Sequence, residues 1–151
     1  MASPEPRDAA TRKADSLTLL TTEAIDAWVA TASTDGAPHL VPLSLLWRDD
    51  SAVIALPESS VTARNIVATG RARLGVGPTR DVVLVDVVLD SAVGVETDED
   101  LADAYAAQAD WDPRGAEGYV YLILRPERVQ AWREANEMVG RTLMREGAWL
   151  V

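Results

Sequence analysis

The 151-residue chain contains no cysteine, a single histidine (His39) and a single lysine (Lys13). Without cysteine, neither a disulfide framework nor a thiolate metal site is available. With one imidazole, HExxH and paired-histidine zinc spacings are excluded. No GxSxG elbow is present, and a Ser/His/Asp triad would have to draw on His39 without a supporting motif. A lone histidine at the start of a strand is more often structural than proton-transferring. Positive charge is also scarce: 14 Lys and Arg stand against 24 Asp and Glu, for a net charge of −10. That balance argues against a nucleic-acid partner, which needs a basic face. No apolar run approaches the ~20 residues of a membrane span, and the opening MASPEPRD does not read as a signal peptide. The expectation is therefore a cytoplasmic protein with no membrane partner. Gly75-Val76-Gly77 is a bare GxG inside a strand, without the turn of a dinucleotide fold. With so little acid–base or nucleophilic equipment, any catalysis would rest on a cofactor.

What is present is a strand-rich chain, 48% hydrophobic. Residues 1–16 are polar and aperiodic and read as a loose tail; residues 17–151 read as a single domain. Thr21 and Thr22 suit the start of a short helix within Leu17–Ala27. Trp28–Ser33 is a strand, Asp35-Gly36 a hairpin turn, and His39–Trp47 the return strand. Arg48-Asp49-Asp50-Ser51 turns the chain into Ala52–Leu56, completing a three-stranded meander. Arg71–Gly77 and Val82–Glu96 follow as strands, the second with Val83, Val85, Val87 and Leu89 on one face and Asp86 and Asp90 on the other. Thr97-Asp98-Glu99-Asp100 opens a helix to about Ala109, its acids favoured by the helix dipole rather than by a metal. Tyr119–Leu124 is apolar at both parities, so it should be buried on both faces. Pro126 interrupts it, and Val129–Arg133 is the last strand. Glu134–Val151 has helical spacing at Met138, Val139 and Leu143, and its aromatic end calls for cover. Six or seven mostly antiparallel strands with short helices imply a closed or nearly closed barrel.

The chain is organised around Ala52–Gly77, a strand, a tight loop, a short helix and a strand. Ser59 or Ser60 can cap the helix, and Gly70 stands where it should end. A helix start offers free amides and partial positive charge; Ser59, Ser60 and Thr62 add hydroxyls, and Arg64 adds a fork for phosphate oxygens. An ordinary capped helix between strands explains the same residues.

The strand pair VATASTDGAPHLVPLSLLW, the helix ESSVTARNIVATGRARLGVG and the connection PTRDVVLVDVVL together resemble the pyridoxamine 5'-phosphate oxidase-like superfamily. They are most similar to its actinobacterial branch of flavin and deazaflavin oxidoreductases, and the arginine- and alanine-rich composition suits a GC-rich genome. The likeness spans roughly residues 17–132, and the tail WREANEMVGRTLMREGAWLV is similar too. It implies an α+β fold, mainly β with short helices: a six- to seven-stranded antiparallel split β-barrel of the FMN-binding type. It also implies a homodimer with a cofactor in each of two interface grooves, which would cover the aromatic tail. FMN or deazaflavin (coenzyme F-420) would lie along His39, Val41, Pro42, Leu43 and Ser44. Its phosphate would sit at Leu56, Pro57, Ser59, Ser60 and Thr62 with Arg64 nearby, while Arg80 would reach the partner's cofactor. Arg48, Arg71 and Arg141 are candidates for the anionic tail of a deazaflavin coenzyme. The implied activity is hydride transfer to a small organic substrate; the alternative is a flavin or deazaflavin carrier without catalysis. Two departures from the resemblance narrow it. Val61 and Thr62 stand where the true oxidases carry an Arg-Lys pair, and no histidine follows His39. The resemblance therefore does not extend to vitamin B6 oxidation or to haem degradation.

Overall fold

The computed structural model describes residues 2–151. In chain order it contains helix α1 (Ala9–Leu20), strands β1 (Asp26–Ala32), β2 (Pro38–Ser44), β3 (Leu46–Arg48) and β4 (Ser51–Pro57), then helix α2 (Val61–Thr69). Strands β5 (Arg71–Val76) and β6 (Val82–Gly94), helix α3 (Glu99–Ala109) and strand β7 (Tyr119–Trp132) follow. A 3-10 turn (Ala135–Glu137) leads into β8 (Thr142–Arg145) and β9 (Ala148–Trp149). The strands pair antiparallel in the order β2-β1-β5-β6-β7-β4-β3, with β8 on β7 and β9 on β8. Strands β2 and β3 stand at opposite ends of that path, yet only Leu45 separates them in the chain. The sheet must therefore curl back on itself. The ladder does not close between those ends, which makes this a split β-barrel of the expected α+β class.

The barrel interior follows from strand alternation. Val83, Val85 and Val87 of β6 point inward, opposite Val76, Leu74 and Ala72 of β5. Val29, Ile54, Leu122, Leu124 and Val129 complete the same core. Each such aliphatic side chain contributes about 1.5–3 kcal/mol on burial. β4 and β7 are apolar at both parities because each separates two cores. Ala52, Ile54 and Leu56 face the barrel, while Val53 and Ala55 lie under α3 with Leu101, Ala102, Tyr105 and Tyr121. Asp98 caps α3 by accepting the Leu101 amide at 3.0 Å, as its sequence anticipates. Among the described residues, no helix is long and apolar enough to cross a membrane.

Four expectations are corrected. Much of the stretch read as a loose tail is helical: Asp8 caps α1 by accepting the Thr11 amide at 2.7 Å, and Arg12, Ser16 and Leu20 are buried. Arg12 is held by a distant partner, donating to the Gly140 carbonyl at 2.8 Å, which local periodicity cannot reveal. Thr21 accordingly ends a helix rather than starting one. The expected meander is broken at Leu45: β2 pairs with β1, whereas β3 pairs with β4, which continues to β7. Pro126 does not interrupt β7. It falls where the β4 ladder has ended at Leu124 and the β8 ladder has yet to begin at Val129, so its missing N–H costs no pairing on that edge. The C-terminal residues, finally, form a hairpin rather than a helix. Glu146 and Gly147 both take positive φ (51° and 77°), the twist a two-residue turn requires. Leu143 and Met144 thereby enter the core, and the Lys13 ammonium lies 4.7 Å from the Trp149 ring. The tail partly covers itself within one chain.

Candidate functional site

The split between β2 and β4 opens into a groove of about 280 Å³. Its walls are Pro42, Leu43 and Ser44 from the end of β2 and Ala55, Leu56 and Pro57 from the end of β4. Asp26 lies opposite Ser44 in the β1–β2 ladder, with the Ser44 hydroxyl 3.4 Å from its carboxylate. Pro42 is accommodated because β2 is an edge strand. Trp111 and Tyr119 form the remaining wall, their rings edge to face at 5.7 Å. Behind them Tyr105 meets Trp111 at 6.0 Å, which fixes the indole. Burial pushes the Tyr105 phenol up to about 12, so it stays protonated at neutral pH. The groove is thus mainly apolar and aromatic, with one hydroxyl and one carboxylate at its edge.

The head of α2 follows directly on Pro57. Ser60 is the N-cap, its Oγ accepting the Ala63 amide at 3.2 Å, and Gly70 closes the helix at φ 73°. The Val61 and Thr62 amides lead the helix, where no intrahelical acceptor exists. Ser59 and Arg64 are exposed, and Arg64 forms no ion pair with any described residue. Thr62 is buried, which turns it away from the open helix head. Asn65 donates to the Thr31 hydroxyl at 3.1 Å and ties the helix to β1.

Pro42, Leu43, Ser44, Leu56 and Pro57 therefore meet in one groove, with Ser59, Ser60 and Arg64 at the adjoining helix head. His39 does not line it; it lies further along β2, opposite Thr31. Val41 packs against the barrel core. Arg80 is held within its own chain by Glu134, with contacts of 2.7 and 3.0 Å. Sequence reasoning missed Asp26, Trp111 and Tyr119. The one available signal was two aromatic residues bracketing a Pro- and Gly-containing loop.

No family model matches the sequence, and neither does any curated protein. Solved structures do match. An F420 reductase superposes with a TM-score of 0.60 at 19% identity, covering 74% of this chain and 94% of its own. General stress protein 26 of Bacillus anthracis superposes with a TM-score of 0.62 at 16% identity, covering 77% of this chain and 89% of its own. HutZ, a haem storage protein of Vibrio cholerae, gives 0.61 at 14% identity, with coverages of 78% and 92%. At these identities the likeness is one of fold alone. The chain shares the split β-barrel fold of these proteins.

Proposed function

We propose that the chain binds FMN or deazaflavin (coenzyme F-420) and acts as an oxidoreductase on a small organic substrate. The observation that carries this reading is the convergence of Pro42–Ser44 with Leu56 and Pro57 in one groove at the head of α2. The residues fit a planar ring with a phosphate arm. The ring would lie between the end of β2 and the Trp111–Tyr119 wall. The phosphate would meet the Val61 and Thr62 amides, the Ser59 hydroxyl and the Arg64 guanidinium. When bound, such a cofactor supplies the hydride transfer. The protein's part is to orient the ring, exclude water and anchor the phosphate.

A homodimer belongs to the same proposal. A groove of about 280 Å³ lies below the ~300–1,000 Å³ of complete ligand sites, so one chain would provide part of the site. Trp28 and Leu40 are 54% and 57% exposed on the outer face of β1 and β2 and offer an apolar surface to a second copy. The Arg80 loop would reach the partner's cofactor from there. A carrier without turnover is the second reading, favoured by Val61 at the exposed helix head where a basic side chain would strengthen phosphate binding.

Titration of the purified protein with FMN and with coenzyme F-420, followed by fluorescence, tests the reading. Saturable micromolar binding of one cofactor, weakened in Arg64→Ala, is expected. Absence of binding to both would overturn it. Turnover of the reduced cofactor with an enone or quinone acceptor separates enzyme from carrier.

A further inference from the structure

A second, larger groove of about 780 Å³ crosses the outer face of β1, β5, β6 and β7, and it shares no lining residue with the first. Ala30, Ala32 and Val88 give it an apolar floor, and Arg71, Arg73, Arg128 and Arg145 stand around it. This gathers four of the thirteen arginines of a chain whose net charge is −10. The sheet register aligns Arg73, Asp86 and Arg128 as successive cross-strand partners. Asp86 accepts from Arg73 Nε at 2.5 Å and Nη2 at 3.2 Å and from Arg128 Nε at 2.9 Å, with Arg128 Nη2 in ion-pair contact at 2.7 Å. One carboxylate thus serves two guanidiniums, and the Nη1 end of each meets no carboxylate among the described residues. Burial pushes the Asp86 carboxyl up, but the hydrogen bonds and charges of Arg73 and Arg128 outweigh it and hold the group below its ordinary value. Arg71 and Arg145 form no ion pair with any described residue. The acids Glu127 and Glu146 share the rim.

We propose that this groove binds a small molecule bearing two anionic groups, carboxylate or phosphate, across its apolar floor. Guanidinium forks match the geometry of either oxyanion, and a part-desolvated site strengthens the contact. One anionic group would engage the free ends of Arg73 and Arg128, and the other Arg71 or Arg145. Asp86 pre-orients the central pair and also competes with the ligand for it. The two grooves share no lining residue, so binding without added cofactor distinguishes this inference from the cofactor reading.

Calorimetric titration of the full chain, without added cofactor, uses inorganic pyrophosphate as one probe and succinate as the other. Saturable binding of at least one is expected, weakened by salt and about tenfold weaker in the Arg71→Ala, Arg145→Ala double variant. Those two side chains have no ion-pair partner among the described residues to lose, so this variant is expected to keep its fold and decides the matter alone. Asp86→Asn should bind more tightly than the parent, because it releases both central arginines. No saturable binding of either probe, or unchanged affinity in the double variant, would overturn the proposal.

Discussion

Two carboxylates in this chain each hold two arginines, and their surroundings give them opposite roles. Glu137 is 1% exposed. It accepts the Arg7 amide at 2.9 Å, Arg7 Nε at 3.0 Å and Nη2 at 2.9 Å, and the Arg133 amide at 2.8 Å. The Arg7 hydrogen bonds, against the opposing effect of burial, hold its carboxyl at about 2. Around this group, Asn136 donates to the Pro4 carbonyl and Arg133 to that of Glu5, so the N-terminal segment is strapped to the C-terminal turn. Asp86 is held by two guanidiniums and no amide; its side chain is 28% exposed and those of Arg73 and Arg128 are 51% and 43% exposed. Water screens the open cluster and leaves donors to spare, whereas the closed one has exchanged its solvent for protein. The difference teaches that in this chain an ion pair becomes a lock when its carboxylate is fully enclosed and a site when it is not.

Breaking the closed cluster should have the largest effect. Glu137→Gln leaves Arg7, whose side chain is 8% exposed, with only the half-exposed Asp15 (3.0 Å) and Asp81 (3.3 Å) as counter-ions; a loss of about 3 kcal/mol is predicted in urea unfolding. A change within error would show that the strap carries no stability. The same group sets a pH dependence. Its carboxyl lies at about 2 when folded against an ordinary 4.5, so its contribution is complete above 4.5 and drains away as pH falls towards 2. Acid titration of stability should flatten over that window in Glu137→Gln.

Arg64→Ala should lower cofactor affinity about tenfold while leaving the unfolding midpoint unmoved, because the side chain has no ion-pair partner among the described residues. Equal affinities for parent and variant would remove Arg64 from the phosphate site. Ser60→Ala removes the α2 cap and should cost about 1 kcal/mol, measured by thermal melting. The smallest effect belongs to the open cluster. Asp86→Asn should change stability by less than about 1 kcal/mol, and a loss as large as that of Glu137→Gln would erase the distinction between the two clusters.

The legible parts of the fold were those written in short-range pattern. The β6 valines announce a buried face, Tyr119–Leu124 announces burial on both sides, and Ser60, Gly70 and Asp98 mark helix ends where the structure has them. For the candidate site, Pro42–Ser44 and Leu56–Pro57 could be named in advance through resemblance. Trp111 and Tyr119 could not, because the loop that starts at Trp111 and the β7 end that starts at Tyr119 meet the groove only when α3 packs on β4 and β7. His39 and Val41 belong to the same strand as Pro42, but distance along β2 takes them away from the groove.

By itself, then, the sequence determined the antiparallel, strand-rich character of the protein, its central capped helix and its want of cysteine and of a second histidine. Those properties depend on residue type and on neighbours a few positions away. Only the tertiary structure decided that residues 9–16 are helical, that the chain turns at Leu45 to split the barrel, and that the C-terminus is a hairpin. It alone placed Arg7 on Glu137, 130 positions distant, and aligned Arg73, Asp86 and Arg128 across three strands. Such pairings arise from sheet register and chain closure, and so carry no signature in local periodicity.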